Sequence, residues 1–339
     1  MELIAGDIGA THSRLAWVAG DGTSSPRTRF GRDYPSAAFA TADDLIRQFV
    51  GDAGGPARPD ALFLAVPGPV DAQRVTLTNL DWTLDAADMA VSLGISRVRL
   101  INDFEAAAAG VATLSAEDRV PLNPQPIDAD GVRVVTGAGT GLGLAYLVPD
   151  GAGGLKSHAT EAGHVDFAPA DARQAALLER LRAEHGHVSW ERVVSGLALH
   201  DLYAFCCDEQ GVAAPAGARL DGAAVYARAA DGDRAADAAL ELFVDLLAAW
   251  VGNVALMFQP RGGLYIAGGI AVHLRERLEA PRFMARAGDK GRMRSVVERT
   301  PIHLVTHKRL GVAGAIASAW SALRARSNDS TQQHIGVGP

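Results

Sequence analysis

The chain opens with two short β-rich runs, Leu3 to Gly6 and Arg14 to Val18, joined by the small and polar stretch Asp7 to Ser13, and this pattern predicts a hairpin. The pattern returns at Arg133 to Thr136 and Leu144 to Val148, which flank Gly137 to Gly143 and predict a second hairpin with a glycine-rich turn. The repetition suggests an internal duplication. Ala61 to Val66 and Val98 to Ile101 are continuous apolar runs of strand length, as expected of buried strands. Helices fill the gaps: Thr41 followed by Asp43 and Asp44 starts one that carries Leu45, Ile46 and Phe49, and Asp85 starts another that reaches Leu93. Leu240, Phe243, Val244, Leu247, Val251, Val254 and Phe258 keep the spacing of one long core helix, and a strand at Leu264 to Ala267 follows it. Pro121 to Gly131 is expected to be a turn-rich loop, Gly311 to Arg324 an Ala-rich amphipathic helix, and Ser327 to Pro339 a frayed polar tail.

At 339 residues the chain exceeds what one hydrophobic core usually serves, so two domains or one large α/β unit are expected. With 48% hydrophobic and 21% charged residues it can bury a core and is neither disordered nor fibrous. The net charge of −7 argues against a nucleic-acid footprint or a polybasic membrane anchor, and points to small or neutral partners. Cys206 and Cys207 are neighbours, which rarely form a structural disulfide, so they suggest helix packing in a reducing cytoplasm. The first residues lack a basic and apolar leader, and the apolar stretch Phe243 to Phe258 is interrupted by Asp245 and Asn253, so neither export nor a membrane span is expected.

Phosphate chemistry is suggested without a P-loop. The three lysines, Lys156, Lys290 and Lys308, sit in no G-x-x-x-x-G-K-[ST] motif, and Leu142 stands where a dinucleotide fingerprint starting at Gly137 needs glycine. The chain has 37 glycines, about 11% against an average near 7%. Turns of this kind let backbone N–H groups approach an anion and take positive φ, although each taken singly also fits a plain hairpin. Thr11 and Thr140 add hydroxyls, Asp7 offers a carboxylate for a hydrated Mg²⁺, and Gly268-Gly269 lies between a strand and a helix, where a nucleotide can be admitted. Asn102-Asp103 stands between a buried strand and an Ala-rich helix, where open α/β sheets bind ligands. Asp103 suits two roles, a helix N-cap and a general base that takes a proton from a substrate hydroxyl attacking a γ-phosphoryl group. Glu161, His164 and Glu191 add groups suited to sugar hydroxyls, whereas His158 and His164 make a poor zinc pair.

Together these segments resemble the bacterial glucokinase family, in the superfold shared with hexokinase, actin and the heat-shock ATPases. The matching runs, in order, are Gly6 to Gly9, Leu100 to Phe104, Gly137 to Gly143, Glu161 to Pro169, Gly186 to Ser189, Glu191 to Gly196 and Ile266 to Ile270. The resemblance implies an α/β, two-lobed actin-like ATPase (ribonuclease H-like) fold with a central cleft that closes on substrate. It implies a small domain of residues 1–113 plus 309–326, a large domain of 114–308, and a disordered tail of 327–339. It further implies a cytoplasmic, commonly dimeric enzyme that phosphorylates glucose to glucose 6-phosphate with ATP and Mg²⁺. Asp103 would be the base; Asn102, Asp103, Glu161, His164 and Glu191 would hold the sugar. Gly6, Asp7, Ile8, Gly9, Ala10, Thr11, Gly139, Thr140, Gly268 and Gly269 would take the nucleotide. A kinase for another hexose and a non-catalytic sugar-binding regulator are the alternatives. Two departures stand out: Ala10 and His12 replace the family's usual glycine and asparagine, and Ala10 is expected to strain a turn that needs positive φ, by about 1 kcal/mol or more. The zinc-binding cysteine cluster of the related ROK kinases is not in the sequence.

Overall fold

Strand β1 (Glu2–Ile8) buries both faces, Leu3 and Ala5 on one side and Ile4 and Ile8 on the other, which is why the run reads as apolar without alternation. The computed structural model describes residues 1–21, 26–54, 58–77, 80–151, 154–214 and 219–333, with side chains as far as Leu323. After β1 come β2 (His12–Ala19), β3 (Arg27–Pro35) and α1 (Ala42–Ala53), whose N-cap Thr41 accepts the N–H of Asp44. Then follow β4 (Ala61–Val66), a hairpin of β5 (Arg74–Leu77) and β6 (Trp82–Asp85), α2 (Ala86–Leu93) capped by Asp85, β7 (Val98–Asn102) and α3 (Asp103–Val111). The main sheet has the order β3-β2-β1-β4-β7, antiparallel across β3, β2 and β1 and parallel across β1, β4 and β7. Strand β3 is not legible from hydrophobic patterning, because it is an edge strand with mostly exposed residues and so carries no apolar pattern.

The next stretch builds a second sheet. It contains β8 (Arg119–Asn123), β9 (Arg133–Ala138), β10 (Leu142–Pro149), β11 (Leu155–Thr160), the helices α4 (Ala172–His185), α5 (Ala198–Glu209), α6 (Gly222–Ala230) and α7 (Arg234–Phe258), and β12 (Leu264–Ala267). Four short helices, α8 (Gly269–His273), α9 (Arg275–Glu279), α10 (Pro281–Ala287) and α11 (Arg294–Glu298), lead to β13 (Ile302–Val305). The sheet order is β11-β10-β9-β12-β13-β8. Pro121 to Asn123 therefore belong to a strand and not to the expected loop; Pro121 is tolerated because β8 lies at the sheet edge, where a missing N–H breaks no ladder. Helix α7 is long and apolar enough to cross a membrane by length and composition, yet most of it is buried in the core beside Trp190 and Phe283. Its buried Asp245 is held by Arg282 through bonds of 2.8 and 2.6 Å, which satisfies a charge inside an otherwise apolar helix.

The last helix, α12 (Leu310–Gln333), returns to the first sheet and packs Val312, Ala315, Ala319 and Trp320 over Leu3, Ala5, Val18 and Phe63. Two units result, Met1–Leu114 with His307–Pro339, and Ser115–Thr306. The helix runs past residue 327, where a tail was expected, because its polar residues include no glycine or proline before Gly336; residues 334–339 lie outside the described ones.

Candidate active site

In the first unit the candidate residues gather at one edge of the sheet. Parallel pairing sets Asp7 opposite Ala65, and Val66 opposite Asn102, so the C-terminal ends of β1, β4 and β7 share that edge. Asp7 and Asn102-Asp103 are thus two strand spacings apart, roughly 10 Å across the sheet. The strand ends deliver Gly6, Asp7 and Ile8, and the β1–β2 turn delivers Gly9, Ala10 and Thr11. That turn is closed by the Gly9 N–H donating to the His12 carbonyl at 3.1 Å and by the Ser36 hydroxyl donating to the Gly9 carbonyl at 2.6 Å. Ser36 also donates its N–H to the Thr11 carbonyl at 3.0 Å and shares a 2.9 Å bond with Ser13. Sequence reading missed this brace, because a serine 25 positions beyond Thr11 carries no local signal. The strain expected at Ala10 is absent: among the described residues the non-glycine ones with positive φ are Ala72, Gln73, Asp81 and Gln259. Hydrogen bonding closes the turn without left-handed backbone at position 10.

Asp7 is partly buried, with Arg14 Nη1 3.7 Å away; burial raises its carboxyl above the ordinary value, Arg14 opposes the rise, and Asp33 adds to it. Gly311 presses so close that a Cβ there would fall 2.6 Å from Asp7 Oδ2. A single carboxylate at a strand end suits a Mg²⁺ that keeps most of its waters, which is the fit the residues present. The N-cap of α3 is Asn102, not Asp103: Asn102 Oδ1 accepts the N–H groups of Phe104 at 3.0 Å and Glu105 at 3.2 Å, and its Nδ2 donates to the Gly68 carbonyl at 3.0 Å. Asn102 has the extended backbone of a cap, while Asp103 is already helical and its Oδ1 accepts the N–H of Phe104 at 2.9 Å.

In the second unit the β9–β10 turn carries Gly139 and Thr140. The Gly139 N–H donates to the Gly141 carbonyl at 2.8 Å, and the Gly196 N–H donates to the Gly139 carbonyl at 2.8 Å. The Leu142 N–H donates to Glu191 Oε2 at 2.9 Å. Glu191 sits in a 3₁₀ turn, Trp190–Arg192, anchored by Trp190 in the core. Glu161 caps and His164 ends another 3₁₀ turn, Ala162–His164, and both are exposed, with Nε2 and Oε2 3.9 Å apart. Gly268 adopts φ +102° next to the carbonyl of Ala138, a conformation and approach open to glycine alone, and Gly269 starts α8. Of the five glycines expected to take the nucleotide, Gly6, Gly9, Gly139, Gly268 and Gly269, only Gly268 uses positive φ. Cys206 and Cys207 lie buried in α5, and burial pushes the Cys206 thiol up to about 12, which suits packing and not redox chemistry.

The first unit thus carries strand-end carboxylates beside one glycine turn, and the second unit carries a second glycine turn beside polar 3₁₀ turns. A glucokinase family model matches residues 4–322. The glucokinase of Synechocystis sp. is 37% identical over 347 residues, covering 94% of this chain and 98% of that protein. Among solved structures, a glucokinase from an Antarctic psychrotroph superposes with a TM-score of 0.80 at 32% identity, covering 94% of this chain and 98% of that one. A ROK family glucokinase from Streptomyces griseus, solved in complex with glucose and AMPPNP, shares the fold with a TM-score of 0.59 at 20% identity, covering 93% of this chain and 98% of that one.

Proposed function

Because the chain belongs to the glucokinase family, with the actin-like ATPase fold and the activity of ATP-dependent glucose phosphorylation, we propose that Asp103 is the general base of that reaction. The observation that supports this most directly is the placement at the start of α3, where Asn102 takes the capping bonds and Asp103 is the first carboxylate after the end of β7. Asp103 accepts the proton of the glucose 6-hydroxyl as that oxygen attacks the γ-phosphorus. The bond from phosphorus to the β,γ-bridging oxygen breaks, and ADP leaves. Asn102 keeps one Nδ2 hydrogen beyond its bond to Gly68, and it holds the sugar together with Asp103, Glu161, His164 and Glu191.

Backbone N–H groups of the Gly6 to Thr11 and Gly139-Thr140 turns, with Gly268 and Gly269, receive the nucleotide. This suits an acidic chain with three lysines. Mg²⁺, held through water by Asp7, would supply charge neutralisation at the phosphates. The enzyme works as a homodimer in the cytoplasm. Asp103→Asn keeps the side-chain shape and removes the base, so kcat in a coupled ADP assay should fall by about 10²–10⁴-fold with glucose binding retained. Turnover within a factor of a few of the parent would refute the assignment.

A further inference from the structure

Glu191 belongs by proposal to the sugar and by geometry to the nucleotide turn. Its Oε2 accepts the Leu142 N–H at 2.9 Å, and the same oxygen is the atom that a Cβ on Gly141 would run into. Its Oε1 has no hydrogen-bond partner among the described residues. Five residues further on, the Gly196 N–H donates to the Gly139 carbonyl, and a Cβ at Gly196 would lie 2.9 Å from that oxygen. The segment from Glu191 to Gly196 therefore grips the turn at both ends, once by a side chain and once by backbone. It is seated on Trp190, Val193 and Val194, which are buried in the core, so the grip is rigid on its own side.

We propose that Glu191 is a positioning residue for the nucleotide turn Gly139 to Leu142 as well as a sugar ligand, so that one carboxylate couples glucose affinity to nucleotide affinity. The proposal rests on the assignment of Glu191 to the sugar made above. A carboxylate hydrogen bond to a backbone N–H is charge-assisted and directional, so fixing one oxygen on a sugar hydroxyl fixes the plane in which the other meets Leu142. The coupling is reciprocal: a nucleotide that stiffens the turn holds the carboxylate ready for the sugar, and the sugar holds the turn ready for the nucleotide.

Calorimetry on the full-length protein tests this, with glucose titrated in the absence of nucleotide and ADP in the absence of sugar. Glu191→Ala should weaken both ligands, each by about tenfold, because the Leu142 N–H loses its acceptor and the sugar loses its own. Glu191→Gln keeps an oxygen for Leu142 and turns an amide to the sugar, so it should weaken glucose alone. Gly141→Ala forces the carboxylate aside and should weaken glucose by about tenfold, although position 141 contributes no side chain to a sugar. Thermal melts of Glu191→Gln matching the parent exclude unfolding as the cause. Weakened glucose with unaltered ADP binding in Glu191→Ala overturns the coupling and leaves the sugar assignment standing. Unaltered glucose binding in Glu191→Ala overturns both, and unaltered glucose binding in Gly141→Ala overturns the coupling.

Discussion

Asp7 is held in a state its surroundings disfavour. Burial raises its carboxyl above the usual carboxylate value more than Arg14, at 3.7 Å, lowers it. The fold thus prefers the protonated form, and the stability this gives is complete below the unfolded value of 3.8 and is lost as pH rises through the folded value. Asp7→Asn should therefore melt higher than the parent near pH 7, with the gap closing toward about pH 4, while kinase activity falls. Equal melting temperatures at neutral pH would contradict the burial argument. His303 runs the other way: it is buried in β13, stacked on Tyr265 at 5.4 Å, with neither ring nitrogen hydrogen-bonded, and burial pushes it down to about 4 with Arg119 adding to the effect. The neutral ring is the folded form, so its contribution is present above 6.5 and is lost as pH falls toward 4. That loss is on the order of 3 kcal/mol, and His303→Leu should flatten the pH dependence of denaturant midpoints across this window. Neither residue's environment was legible locally, since burial is contributed by elements distant in sequence.

At the scale of elements, α3 and α12 meet at glycine. A Cβ at Gly314 would collide with the carbonyl of Ala106, and one at Gly110 would come within 2.6 Å of the Leu310 carbonyl. The two backbones are therefore in close approach one turn beyond Asp103, and α12 sets where α3 begins. Gly314→Ala should destabilise the protein by about 1–3 kcal/mol through overpacking. It should also lower kcat, because the start of α3 shifts with the helix. Circular dichroism melts and steady-state assays check the pair of effects, and an unchanged melt would show that the helices part without cost. Apolar strands and capped helices were readable because local physics specifies them: β4 spans Ala61–Val66 as expected, and Thr41 and Asp85 cap α1 and α2. The edge strands β3, mostly exposed, and β8, mostly half-buried, were not, since pairing on one side only imposes no apolar pattern.

Across the whole molecule the duplication suggested by two hairpins extends to topology. The orders β3-β2-β1-β4-β7 and β11-β10-β9-β12-β13 share the same sequence of antiparallel and parallel neighbours, with β8 added to the second. Each sheet supplies one glycine turn at the same place in that order. An ADP-release assay over glucose, mannose, fructose and amino sugars should rank glucose first in kcat/KM, and a higher value for another hexose would reassign the substrate. Sedimentation equilibrium should give about twice the 35.4 kDa chain mass, and a monomer at assay concentrations would refute the dimer. The sequence alone determined which segments are buried and where α1 and α2 start, because these follow from periodicity and capping, and its motif order placed the chain in its family. Only the tertiary structure decided that Asn102 caps α3, that Ser36 closes the first turn without strain at Ala10, and that Glu191 holds the second turn. The last two are bonds between residues far apart in the chain, brought together only by tertiary folding, and the first is a choice between two adjacent cap formers that only the backbone geometry makes.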